Sequence, residues 1–202
     1  MHRDFRGIWM GRLMRRIEWH TCLKYGLVNR LYALLWGVQL GEGCCFYGRT
    51  HFRRVEFSSI VIGDKCRFRS NVDSNFVGIN RPCMVSTLSS TAMIDIGPMC
   101  GFSGTVIAAN KSIQIGANVL CGGNVTISDT DWHGIKSCER RESGLSANIV
   151  IEDNVWIGLN AIVLKGVTIG KNTIIGAGSV VNRSLPPNVI AAGQPSRIVR
   201  NL

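Results

Sequence analysis

Stepping six residues at a time from Ile151 meets Ile157, Val163, Ile169, Ile175 and Val181, a branched aliphatic residue at every stop. The next residue is Gly at three of the six stops (Gly158, Gly170, Gly176). The residue two before is small or branched each time: Ile149, Val155, Ala161, Val167, Thr173 and Ser179. The phase recurs earlier in broken form, at Ile62-Gly63 and Phe68, at Ile96-Gly97 and Phe102, and at Ile115-Gly116, Cys121-Gly122 and Ile127. Such a period fits neither the roughly 3.6 residues of a helical turn nor plain alternation. It predicts a short strand, a sharp corner and another short strand, three units making one triangular turn of a solenoid. Turns stack at strand spacing, about 4.8 Å. The aliphatic residue points into the prism and Gly eases the corner. One unit cannot bury its face alone, so many must stack. Breaks in the phase mark loops or short insertions. Periodicity alone also suits a purely structural solenoid.

Ahead of the repeat, residues 4–37 read as helical, with Leu27, Leu31, Leu34 and Leu35 on one face. Arg12, Arg15 and Arg16 cluster near Trp9, Trp19 and Trp36. Such a helix suits a cap over the open end of the solenoid, where edge strands need covering. It also suits a membrane surface. The chain thus divides into a basic, partly helical segment over 1–54, a β-helix over 55–185 and a tail over 186–202.

Composition narrows the partners. Hydrophobic residues make up 46% of the 202, and only 18% are charged, so the chain has a packed core and is not disordered. Residues 1–54 hold ten Lys and Arg against three acids, so +7 of the net charge of +10 sits in that quarter. A basic end serves nucleic acid, an anionic membrane or a phosphorylated ligand. No nucleic-acid motif follows it, which argues against nucleic acid. The longest near-apolar run, Leu31 to Leu40, is too short to span a bilayer. The eight cysteines form no Cys-x-x-Cys pair, and Cys66, Cys100 and Cys121 fall at apolar positions of strand-like runs. All eight read as reduced, in a cytoplasmic protein.

The stretches Glu152-Asp-Asn-Val-Trp-Ile-Gly, Gly166-Val-Thr-Ile-Gly, Gly176-Ala-Gly-Ser-Val-Val and Pro186-Pro-Asn-Val-Ile-Ala-Ala-Gly-Gln-Pro-Ser-Arg resemble the hexapeptide-repeat acyltransferases. More narrowly they resemble the maltose and nodulation-factor acetyltransferase group and the related surface-polysaccharide O-acetyltransferases. The resemblance covers roughly residues 60–202. It implies an all-β solenoid, a left-handed parallel β-helix, assembled as a homotrimer with active sites between neighbouring subunits. It implies acetyl-CoA as co-substrate and a catalytic His in a loop that interrupts the coils. Here the interruption is Ser128-Asp-Thr-Asp-Trp-His-Gly-Ile135, continued by the polar stretch 136–146. His133 matches the catalytic position. The resemblance also places coenzyme A contacts at Trp156, Leu159, Ala161, Ala177, Asn182, Arg183, Arg197 and Arg200, the arginines suited to phosphate oxygens.

The chemistry stands on its own footing. Acyl transfer needs a base to take the acceptor's proton as it attacks a thioester carbonyl, and imidazole titrates near neutrality. A nearby carboxylate can fix the ring tautomer, and Asp129 and Asp131 are both candidates. The Asp-x-Asp-x-His run also resembles a metal set, but no second His or Cys pair completes it, so no metal is expected. Sugar acetyltransferases of the maltose group carry an Asn that helps hold the acceptor. Aligned back from Ile115 that position falls at Gly104, while Asn110 is near but out of register, which argues against maltose itself. The reading is O-acetylation of a sugar or surface-polysaccharide intermediate, with the basic segment holding the enzyme at the inner membrane face. N-acetylation of an amino sugar and a non-catalytic scaffold are the alternatives.

Overall fold

The computed structural model describes residues 4–202, so His2 and Arg3, the first of the basic N-terminal set, lie outside the described residues. Asp4 starts a long helix, α1 (Phe5–Leu35), by accepting a hydrogen bond from the Gly7 N–H at 2.9 Å. Six coils of three strands follow. The first coil is β1 (Gln39–Leu40), β2 (Cys45–Tyr47) and β3 (His51–Arg53). The second is β4 (Ser59–Ile62), β5 (Arg67–Arg69) and β6 (Met84–Thr87), and the third is β7 (Met93–Ile96), β8 (Gly101–Ser103) and β9 (Val106–Ala109). The fourth is β10 (Ser112–Ile115), β11 (Leu120–Gly123) and β12 (Thr126–Ser128). The fifth is β13 (Ile149–Ile151), β14 (Trp156–Ile157) and β15 (Ile162–Val163), and the sixth is β16 (Thr168–Ile169), β17 (Ile174–Ile175) and β18 (Val180–Val181). A hairpin of β19 (Val189–Gly193) and β20 (Ser196–Asn201) ends the chain.

Every third strand stacks on its predecessor in parallel. The first sheet runs β1-β4-β7-β10-β13-β16 and the third β3-β6-β9-β12-β15-β18. The second runs β2-β5-β8-β11-β14-β17 and gains β19 and β20 at its end. This is the expected all-β solenoid with an N-terminal helix. The boundaries differ from the expectation: the first coil lies inside the 1–54 segment, and the tail supplies two more strands to the second sheet.

All six repeat positions from Ile151 to Val181 are at most 1% exposed. In the early coils aromatic rings take the inward place on the second sheet. Phe46 stacks on Phe68 and Phe68 on Phe102, each with ring centroids 5.1 Å apart, about one coil rise. Interior packing of this kind leaves little room, and the glycines after the inward isoleucines show it. A Cβ on Gly63 would sit 2.7 Å from the Pro98 nitrogen, and one on Gly97 2.7 Å from the Gly116 carbonyl carbon. The corners themselves fall to asparagine rather than to those glycines. Asn118, Asn154, Asn172 and Asn188 adopt φ of 58°, 59°, 62° and 59°, the left-handed region that Asn tolerates. Their amides form a ladder of hydrogen bonds at 2.9, 3.1 and 2.7 Å.

α1 does cover the first coil, but with a different face from the one its leucines suggest. Leu27, Leu31, Leu34 and Leu35 are 65%, 53%, 73% and 83% exposed. The packed side is Asn29 and Ala33, both buried, with Tyr25, Tyr32 and Trp36 half-buried against the core. Asn29 decides this. Its amide donates to the Gly48 carbonyl at 3.0 Å and its oxygen accepts from the Thr50 N–H at 2.8 Å, satisfying the open edge between β2 and β3. A second correction concerns the thiols. Cys22 on α1 and Cys45 on β2 are joined in a disulfide, because the helix seat brings their Cα atoms to 5.6 Å. The other six cysteines are free. Two excursions break the coils: residues 70–83 between β5 and β6, and residues 129–148 between β12 and β13.

Candidate active site

The excursion 129–148 leaves the third sheet after β12 and returns on the first sheet at β13. A short ladder holds its base. Thr130 and Ser146 pair antiparallel, the Asp131 N–H donates to the Leu145 carbonyl at 3.0 Å, and the Ala147 N–H donates to the Asp129 carbonyl at 2.9 Å. Asp129 is fully buried, and its carboxylate accepts from the N–H groups of Asn110, Lys111 and Ser112 at 2.6, 2.8 and 2.7 Å. It thereby satisfies three amides at the turn into β10. Asn110 adds a side-chain bond to the Ser146 hydroxyl at 2.8 Å, so this residue holds the closing end of the excursion. Asp131 receives the Lys165 ammonium at 2.6 Å. Gly104 sits at φ +56°, where a Cβ would lie 2.9 Å from the Arg81 carbonyl oxygen, so the backbone dictates glycine there.

At the tip, Trp132 adopts φ +67°, a conformation costly for an aromatic residue and one that turns the chain sharply before His133. Its indole N–H donates to the Ser128 hydroxyl at 3.1 Å, which anchors the ring back to β12. The His133 N–H donates to the Asp131 carbonyl at 2.8 Å. The His133 ring Nδ1 lies 2.9 Å from the Arg140 carbonyl oxygen. A carbonyl only accepts, so the geometry assigns the proton to Nδ1 and the lone pair to Nε2. The group beside the imidazole is therefore a backbone carbonyl, while Asp129 and Asp131 are engaged elsewhere. His133 is exposed. Gly144 packs directly behind it: a Cβ there would lie 2.6 Å from the His133 carbonyl oxygen and 2.8 Å from the Asp131 Cβ.

A separate apolar groove runs along the outside of the second sheet. Trp156, Leu159 and Ala177 line it with Gly122 and Gly123, and the excursion 70–83 adds Asn75 and Val77 from above. Gly123 keeps the groove open, since a Cβ would meet the Leu159 and Val77 side chains, each at 2.9 Å. Ala161 is not part of it. That residue is fully buried inside the prism, with its N–H bonded to the Gly158 carbonyl and its carbonyl to the Thr126 N–H. Asn182 and Arg183 are exposed just beyond β18, and Arg197 and Arg200 are exposed on β20, at the far end of the sheet that carries the groove. The loop of His133 leaves from the corner between the third and first sheets, so one prism does not bring His133 and the groove together. Among the described residues no group of three or more His, Cys, Asp or Glu is placed to hold a metal.

Sequence reasoning missed four participants. Lys165, the Arg140 carbonyl, Gly144 and Val77 have no motif around them, and each acts through a contact formed only on folding.

Residues 148–183 match the family profile described as "Bacterial transferase hexapeptide (six repeats)". Over 98 residues the chain is 46% identical to a galactoside O-acetyltransferase of Escherichia coli K12, covering 48% of this chain and 47% of that protein. Over 143 residues it is 37% identical to a galactoside O-acetyltransferase of Lactococcus lactis, covering 70% of this chain and 62% of the relative. The chain thus spans about half to three fifths of the length of these curated relatives. Among solved structures it resembles a hexapeptide-repeat acetyltransferase from Vibrio cholerae, at 26% identity and a TM-score of 0.59 over 95% of this chain and 88% of the other. The same Vibrio protein in complex with acetyl-CoA aligns at 27% identity and a TM-score of 0.55 over 85% and 75%. The repeat, the coils and these relatives agree: the chain is similar to the hexapeptide-repeat acetyltransferases.

Proposed function

We propose that the protein is an acetyl-CoA-dependent O-acetyltransferase that acetylates a hydroxyl of a sugar or surface-polysaccharide intermediate, with His133 as the general base. The observation that carries this is the imidazole held by Arg140. With its Nδ1–H bound to that carbonyl, the ring presents the Nε2 lone pair on an exposed loop. Nε2 takes the proton of the acceptor hydroxyl as the hydroxyl oxygen bonds to the acetyl carbonyl carbon. The carbon–sulfur bond breaks, and the imidazolium returns the proton to the departing thiolate. The Arg140 carbonyl stabilises the charged ring while it holds that proton. Asp131, paired with Lys165, and Asp129, on its three amides, keep the base of the loop in place.

The groove fits the pantetheine arm of acetyl-CoA. It is narrow, apolar and floored by Gly122, Gly123 and Ala177, where a flexible amide-bearing chain can lie close to the backbone. Arg183, Arg197 and Arg200, beyond Asn182, are the candidates for the phosphates. Because His133 and the groove lie on different faces of one prism, the reading requires a homotrimer in which one subunit's loop faces its neighbour's groove. The names of the galactoside acetyltransferases support a sugar acceptor, and the basic α1 supports a second contact with an anionic membrane.

The test is release of free coenzyme A thiol from acetyl-CoA in the presence of galactosides and other sugars, with mass spectrometry of the product. Acceptor-dependent release with formation of a base-labile acetyl ester supports the reading. A base-stable amide product would move it to N-acetylation, and no release with any sugar would leave a scaffold.

A further inference from the structure

The seat of α1 on the solenoid gives the helix two sides. Tyr25, Asn29, Tyr32, Ala33 and Trp36 face down onto the first coil. At about 100° per residue, Leu23, Leu27, Leu31 and Leu34 fall on the opposite side. They are 55%, 65%, 53% and 73% exposed, an unpartnered stripe along the last three turns. Lys24 and Arg30 flank the stripe, and it continues toward the N-terminus through Arg16, Arg12 and Trp9. There Trp9 and Trp19 form a concavity with Arg12, Leu13, Arg15 and Arg16. Within α1 the one acid is Glu18, which lies on the seat side, 4.0 Å from Arg69. On or beside the outward side lie five of the six basic residues of the helix, Arg6, Arg12, Arg16, Lys24 and Arg30, and no carboxylate.

We infer that this outward side of α1 docks on an anionic phospholipid bilayer, with the helix in the plane of the interface. The leucines enter the acyl boundary, the indoles sit among the headgroups and the guanidinium groups meet lipid phosphates. This deepens the membrane contact proposed above and does not depend on the acetyl-transfer reading. Charge selects the occupant. A second copy packed through the same stripe would set Arg12, Arg16, Lys24 and Arg30 against their own kind with no acid to pair them. A phosphate-rich surface supplies the missing anions. Contact is along the surface, because no helix among the described residues is long and apolar enough to cross a membrane.

Flotation of the full chain with phosphatidylcholine vesicles, with and without phosphatidylglycerol, tests this. Binding is expected only with phosphatidylglycerol and should fade as salt rises, since the attraction is screened. The triple variant R12Q/R15Q/R16Q should bind about a hundredfold more weakly at low salt. The variant L27E/L34E should lose binding while melting at the wild-type temperature. The acetyl-transfer assay on a soluble sugar should be unchanged in both variants, which keeps this outcome separate from the catalytic reading. Absence of binding to phosphatidylglycerol vesicles, or equal binding to neutral ones, overturns the proposal. So does L27E/L34E lowering the particle mass in light scattering while vesicle binding persists, which would assign the stripe to a second copy.

Discussion

Asp129 to Ala separates two roles that a carboxylate beside a catalytic loop could have. The wild-type side chain is fully buried and accepts three backbone N–H bonds at 2.6–2.8 Å. Alanine leaves those amides at the turn into β10 without an acceptor. Hydrogen bonds to a charged group are worth about 1.5–3 kcal/mol each, so even the low end puts the loss at about 4.5 kcal/mol. In a chain of this size 1 kcal/mol moves the melting temperature by about 2–4 °C, so the variant should melt about 9–18 °C lower. Asp129→Asn keeps one acceptor oxygen and should lose roughly half as much. Scanning calorimetry reads the melting temperature, and turnover measured well below the variant's melting point reads the catalytic effect. Turnover of the folded variant should fall less than about tenfold, because Arg140 rather than Asp129 holds the ring. A variant that melts within about 2 °C of wild type but loses turnover would refute the reasoning and make Asp129 a partner of His133.

Three further outcomes follow from the same geometry. Gly144→Ala places a methyl 2.6 Å from the His133 carbonyl oxygen, and a base displaced by about 1 Å should lower kcat about a hundredfold with the KM for acetyl-CoA unchanged. Ala177→Trp fills the groove on the second sheet, so calorimetric titration should show acetyl-CoA binding at least about tenfold weaker, with an unchanged melt. Burial pushes the thiols of Cys83 and Cys121 above the ordinary value of 9.0, so a thiol reagent should label exposed Cys138 far faster than either in the native protein. Because the folded state favours their neutral form, their contribution to stability is fully present below pH 9.0 and is lost as pH rises beyond it, and the denaturation midpoint should fall there.

The coils were legible because their signal is local. One inward residue in six, buried to within 1%, needs no knowledge of the rest of the chain. The excursion around His133 was legible as a break in that phase. What the sequence hid depends on neighbours in the next coil. Asp129 meets Asn110, Lys111 and Ser112 across one turn of the solenoid, and nothing in Asp-x-Asp-x-His distinguishes a buried cap from an orienting carboxylate. The Arg140 carbonyl is backbone and leaves no residue-type signal. The face of α1 was misread because its leucines are periodic, whereas its real seat is fixed by a buried asparagine bonded to Gly48 and Thr50. The first coil was hidden because Phe46 and Phe52 fill inward places where later coils carry aliphatics.

The central claim is that the Nε2 lone pair of His133 takes the acceptor's proton, and single-turnover acetyl transfer by His133→Ala tests it most directly. The account predicts a loss of roughly two to four orders of magnitude in the transfer rate, with acetyl-CoA affinity and melting temperature unchanged. Transfer within about threefold of wild type would contradict it and move the base to another residue.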